Sequence, residues 1–301
     1  MNVTGYTETN PEHRAALVLL KQFETVAYTR TAFLSSSDTL SPNEVDSAAD
    51  LRLPFLELIG ALKVLGPDAS RDLETSYSAV LVGAKDFVGP KGLGAVTSRK
   101  CYVGILEGGA QPNVEPDFRQ ASHESIGGRQ VWTWSTGPSE GASKPNEFYA
   151  AQISNSYFLM TNNREDFQEA ANALASVQAF KPTLIGVPGW ETFSKYGYWA
   201  HRSIHRNGAI SSAAAGIHDL TPDLMTLTFF ADVDRKESFL RVFSSDKSTE
   251  TAPKVLPQSE LKRLQPLGGG VWQAAIPLSK DEAGFDLLFE VFFRFGFGAA
   301  L

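Results

Sequence analysis

The chain has 301 residues, a net charge of −7, a pI near 5.3 and 43% hydrophobic residues. That is enough for one large domain or two smaller ones with real cores, and the acidic balance excludes nucleic acid as the main partner, since phosphate binding needs a basic face. One cysteine, Cys101, excludes an intramolecular disulfide and leaves stability to packing. The chain shows no run of 18 apolar residues that would span a membrane and no apolar run long enough for a signal peptide. A periplasmic or extracellular location follows if an export segment has been trimmed, and a cytoplasmic one otherwise.

In chain order, Pro11 opens a helical pattern over 11–33, with Leu17, Leu20, Phe23 and Ala27 at helical spacing. Ser41-Pro42-Asn43-Glu44 is a capping box that opens a helix through Ala49, continued from Pro54 to Leu65 and stopped by Gly66-Pro67. From Tyr77 the chain turns β-like. Tyr77–Lys85 and Cys101–Glu107 read as strands joined by the glycine-bearing loop Gly89–Gly94, and Gln130–Ser135 reads as a two-faced strand. Phe148–Ile153 and Tyr157–Thr161 form a hairpin about Ser154-Asn155-Ser156. Arg164–Val177 is the clearest helix: Asn163 caps it, Glu165 and Asp166 suit its first turn, and Phe167, Ala170, Ala171, Leu174 and Val177 make its apolar stripe.

Phe180–Gly189, with two prolines and two glycines, is the best linker. It divides an N-terminal α+β unit (1–182) from a C-terminal one (183–301). Beyond it Glu191–Arg206 reads as helix, Met225–Val233, Ser238–Ser244 and Val271–Pro277 as strands, and Ser279-Lys280-Asp281-Glu282 as a second capping box before an apolar helix through Phe295. A helix apolar on two sides over 285–295 is either central or a homo-oligomer contact. Phe148–Leu174 and Val271–Phe292 both run strand, cap, acidic turn, apolar helix, an internal echo of two related α+β units. The fold class read here is α+β, with antiparallel or mixed sheets and helices on one face.

The stretch Phe148–Leu174, FYAAQISNSYFLMTNNREDFQEAANAL, resembles a strand–turn–strand–helix unit of uncharacterised bacterial proteins, many of them exported. The resemblance covers under a third of the chain. It implies a fold and an extracytoplasmic setting, and it brings no catalytic residue.

Each motif that bears chemistry has a plain structural alternative. Gly137-Pro138-Ser139-Glu140-Gly141 has the G-x-S-x-G frame of a nucleophile elbow, but the elbow needs a helix after the serine, and Pro145 and its polar neighbours predict a loop. His201 and His205 share a face if they lie on a helix, which suits two zinc ligands. Arg202 and Arg206 beside them oppose a cation, so a solvated helix end explains the same residues. Trp190, Tyr196, Tyr198 and Trp199 would grip a sugar or a partner if exposed, and a buried helix face otherwise. Asp232 and Asp234 read as turn residues, and GPKGLG lacks the lysine–hydroxyl pair and helix of a phosphate loop. The first reading is therefore a non-catalytic soluble binding or interaction protein, with a protein or small-molecule partner and no cofactor or metal. The alternative is a serine-type or metal-assisted hydrolase that uses Ser139 or His201 with His205.

Overall fold

The computed structural model describes residues 10–30, 77–88, 96–106, 121–136, 146–176, 187–205, 224–232, 237–245 and 264–276. The capping boxes at 41–44 and 279–282, the apolar segment 285–295, Ser139 and Asp234 lie outside them.

Asn10 caps α1 (Pro11–Gln22), its carboxamide oxygen accepting the Glu12 and His13 amides, and the chain enters β1 (Thr25–Arg30) at once. The helix expected over 11–33 ends instead at Gln22, eleven residues earlier, and a strand follows it. Thr25, Val26, Tyr28 and Thr29 are β-branched or aromatic, and a sheet position favours that run over the helical spacing.

The N-terminal half continues with β2 (Tyr77–Val88), β3 (Val96–Leu106), β4 (Ser122–Ile126), β5 (Arg129–Thr136), β6 (Asn146–Ser154), β7 (Tyr157–Thr161) and α2 (Arg164–Ala175). Then come α3 (Trp190–Phe193), β8 (Tyr198–His205), β9 (Leu224–Asp232), β10 (Glu237–Ser244), β11 (Gln265–Gly268) and β12 (Val271–Ala275). The described strands form one sheet in the order β11-β12-β10-β9-β8-β1-β2-β3-β7-β6-β5-β4. Every pairing in it is antiparallel, and the sheet does not close into a barrel.

At the centre β1 pairs with β8, with Ala27 opposite Ala200. Strands from both sides of residue 182 therefore share one hydrogen-bonded sheet. Outward from this pair the order is β1-β2-β3-β7-β6-β5-β4 on one side and β8-β9-β10-β12-β11 on the other. The first five strands on each side are a first strand, a hairpin, and a second hairpin added in reverse order, and β5 and β4 extend the N-terminal side alone.

α1 packs on β1, β2 and β3, α2 packs on β6 and β7, and the two helices touch. Beneath them Val26, Leu81, Cys101, Val103, Ile105 and Leu159 join Leu17, Phe167, Ala170 and Leu174 in one core. The opposite faces of the same strands are buried too, through Val80, Val82, Tyr102, Phe158 and Met160, and further along through Phe229, Leu240 and Trp272. Burial on both sides explains why these strands read as near-continuous apolar runs. It also means that helices confined to one face are not established as the whole arrangement. Among the described residues no helix is long and apolar enough to cross a membrane.

Candidate functional site

The aromatic and histidine residues singled out by sequence lie along the segment of α3 and β8. Glu191–Arg206 is not the expected helix. Gly189, in the left-handed region at φ 78°, starts a helix of only four residues, and after a turn the chain enters β8 between β1 and β9. Two ladders of backbone bonds and an aromatic, β-compatible run decide for strand.

On a strand neighbouring side chains point to opposite faces. Trp199 lies on the face of α3, where it stacks on Tyr28 (5.5 Å, 14°) and meets Trp190 and Phe193 edge-on at 5.7 and 5.3 Å. Tyr196 packs on Phe230 at 4.7 Å. Tyr198 points the other way, to Phe229 at 6.0 Å, and burial holds its phenol well above the usual range. The structure thus gathers Trp190, Tyr196 and Trp199 on one face and separates Tyr198 from them. In this conformation Trp190, Tyr198 and Trp199 are buried and Tyr196 is half-buried, so the rings form core.

His201 is 2% exposed. Its Nδ1 lies 2.8 Å from Thr228 Oγ1, its Nε2 lies 3.4 Å from Ser203 Oγ, and its ring stacks on Phe193 at 5.8 Å and 17°. Burial pushes its pKa down to about 4, so at neutral pH it is an uncharged, weakly basic ring. The helical face that the spacing predicts for His201 and His205 does not form. Four residues along a strand put their Cα atoms about 13 Å apart.

Ion pairs tie the helices to the sheet. Lys85 Nζ donates to Asp166 Oδ1 at 2.8 Å, and Arg99 approaches the same oxygen at 3.7 Å and Glu165 at 3.8 Å. Cys101 lies below; burial and then Asp166 push its thiol up, which makes it inert. At the other helix Tyr28 donates to Glu12 Oε2 at 2.5 Å and accepts from Arg30 Nε at 3.2 Å. Burial, then Glu12, raises the Tyr28 phenol.

The sheet ends in two different strands. β4 and β5 are joined by Gly127-Gly128 with φ of 58° and 78°, the positive angles of a type I′ turn. In such a hairpin the flanking residues Ile126 and Arg129 form a hydrogen-bonded pair, and the pattern then alternates. Glu124 and Ser122 therefore bond inward, whereas His123 and Ser125 direct their N–H and C=O outward. Ser122, His123 and Ser125 are exposed. β11 is guarded: Pro266 has no N–H, the register shifts between Pro266 and Gly268, and the strand spans four residues.

No family model and no curated protein matches this chain. Its fold is similar to three crystal structures of TP0453, a bacterial protein. Form I aligns at a TM-score of 0.47 and 10% identity over 95% of this chain and 99% of that one. Form III gives 0.47 and 9% over 94% and 99%, and form IV gives 0.42 and 9% over 87% and 92%.

The edge strand β4 escaped sequence reading because Ser122-His123-Glu124-Ser125 has no apolar alternation. The signal that finds it is Gly127-Gly128 followed by the strand-like β5, a two-residue hairpin turn. The pairing of Asp166 with Lys85 and Arg99 had no signal, because the three lie on three separate elements.

Proposed function

We propose that the protein is a non-catalytic interaction protein that receives an extended segment of a partner protein along the outer edge of β4. The observation that carries this reading is that, among the described residues, no strand pairs with the outer edge of β4. His123 and Ser125 direct backbone donors and acceptors away from β5, and β4 contains no proline or bulge. Natural sheets blunt such edges unless they are used, as β11 is blunted here, and strand addition is the recognition mode that uses them.

The same reading treats 1–182 and 183–301 as two related α+β units fused through their first strands. The matching order of the first five strands on either side of the β1–β8 pair supports it, as does the helix that precedes each first strand. The contacts of α1 and α2 with one another and with one core support helices gathered on one face.

The test compares the wild type with His123→Pro and Ser125→Pro, which remove outward N–H groups and leave the β4–β5 ladder its donors. Partners captured from a native extract by the wild type should be lost by both variants, and 122–126 should gain hydrogen-exchange protection in the complex. Partner retention by both variants would overturn the reading. So would covalent labelling by a fluorophosphonate that Ser139→Ala abolishes, which would favour the hydrolase.

A further inference from the structure

We propose that His201 and α3 form an acid-sensitive latch, in which proton uptake by His201 releases α3 from the sheet and bares the rings of Trp190, Phe193 and Trp199. The proposal starts from how little holds α3. It is four residues long and has no side-chain cap. Its backbone bonds are all local, running between Val187 and Tyr196. Among the described residues, ring packing fastens it to the sheet, with Trp190 and Phe193 on Trp199, Phe193 on His201, and His13 against Trp190 at 5.3 Å, while Arg241 of β10 lies against Gly189 at its start. Short elements of this kind open locally at far lower free energy than the whole fold.

His201 is the titratable ring inside that packing. Val26 of β1 and Thr228 of β9 stand opposite it on the neighbouring strands, Ser203 follows it on its own face, and Phe193 covers it. Among the described side chains of these elements none neutralises an imidazolium, and Arg241, next in the same cross-strand row beyond Thr228, is itself a cation. Arg202 points to the opposite face of β8, and Glu191 and Lys195 are exposed on or just after α3. On β1 and just before it, Glu24 meets β8 through its backbone carbonyl, which accepts the Ser203 amide, and Arg30 pairs with Glu12. Burial alone depresses the affinity of the ring for a proton.

The sign follows. In the closed state His201 holds a proton only near pH 4, whereas a solvated histidine does so near 6.5. Between those values the open state binds the extra proton, so each unit of acidification favours opening by up to about tenfold. Above about pH 6.5 the latch is indifferent to pH.

The experiment follows the full chain from pH 7.5 to 4.5 by tryptophan emission and by hydrogen exchange of 187–205 corrected for intrinsic rate. The chain has five histidines, and His13 also touches α3, so His201→Gln and His13→Gln are measured beside the wild type. The latch requires a reversible red shift and faster exchange in 187–196 in the wild type and in His13→Gln, both absent in His201→Gln. A pH-independent wild type, or a response that survives in His201→Gln or vanishes in His13→Gln, overturns it. Should His201→Gln fail to fold, wild-type NMR decides: the His201 Cε1 proton must titrate together with the indole signals, and separate titrations reject the latch.

Discussion

Phe167 is fully buried beneath α2, where a cavity would have rigid walls on the helix and sheet sides. Phe167→Ala should cost about 3–5 kcal/mol, read from chemical denaturation at constant m; a loss below about 1 kcal/mol would contradict the packing described. Asn163 accepts the amides of Glu165 and Asp166 at 3.1 Å each, so Asn163→Ala should cost about 1 kcal/mol. His201 makes a prediction about pH. Its folded pKa lies below the unfolded value, so its contribution is complete above about pH 6.5 and is lost as pH falls toward 4. Global stability should decline over that window by at most about 3 kcal/mol from this residue. Stability curves that coincide for the wild type and His201→Gln would show that the ring is not buried as described.

Elements were legible in the sequence in proportion to how local their causes are. α2 is capped by its own asparagine and carries its stripe within twelve residues, so its start and buried face could be read directly. The strands β5, β6 and β7 declare themselves by alternation or by continuous apolar runs. By contrast, the chain from Thr25 to Arg30 and from Tyr198 to His205 has spacing that fits a helix, and only the ladders with β2, β8 and β9 make it strand. At the sheet end, Gly128 at φ 78° has open space around it, so a side chain there would be strained without being crowded. Gly128→Ala should cost about 1–2 kcal/mol. It should speed hydrogen exchange in 122–133 and leave 157–174 unchanged. Equal acceleration in both segments would mean that the hairpin does not open independently.

At the scale of the whole molecule, the β1–β8 pair makes one sheet of two halves. A fragment ending at residue 182 exposes the edge of β1, and one starting at 183 exposes the edge of β8. Expressed separately, the fragments should be poorly soluble or self-associated, and refolded together they should form a 1:1 complex by size exclusion with sedimentation. A fragment 1–182 that melts cooperatively as a monomer would show that its core needs nothing from β8. The sequence by itself determined which stretches are apolar on one face or two, where helices are capped and where glycine turns fall, because those properties depend on side chains a few residues apart. The tertiary structure alone decided that β1 and β8 are strands, that His201 is buried on a strand and not on a helical face with His205, that Asp166 meets Lys85 and Arg99, and that β4 and β11 end the sheet of described strands. Each of these depends on pairing between distant segments, where backbone hydrogen bonds and desolvation outweigh local propensity.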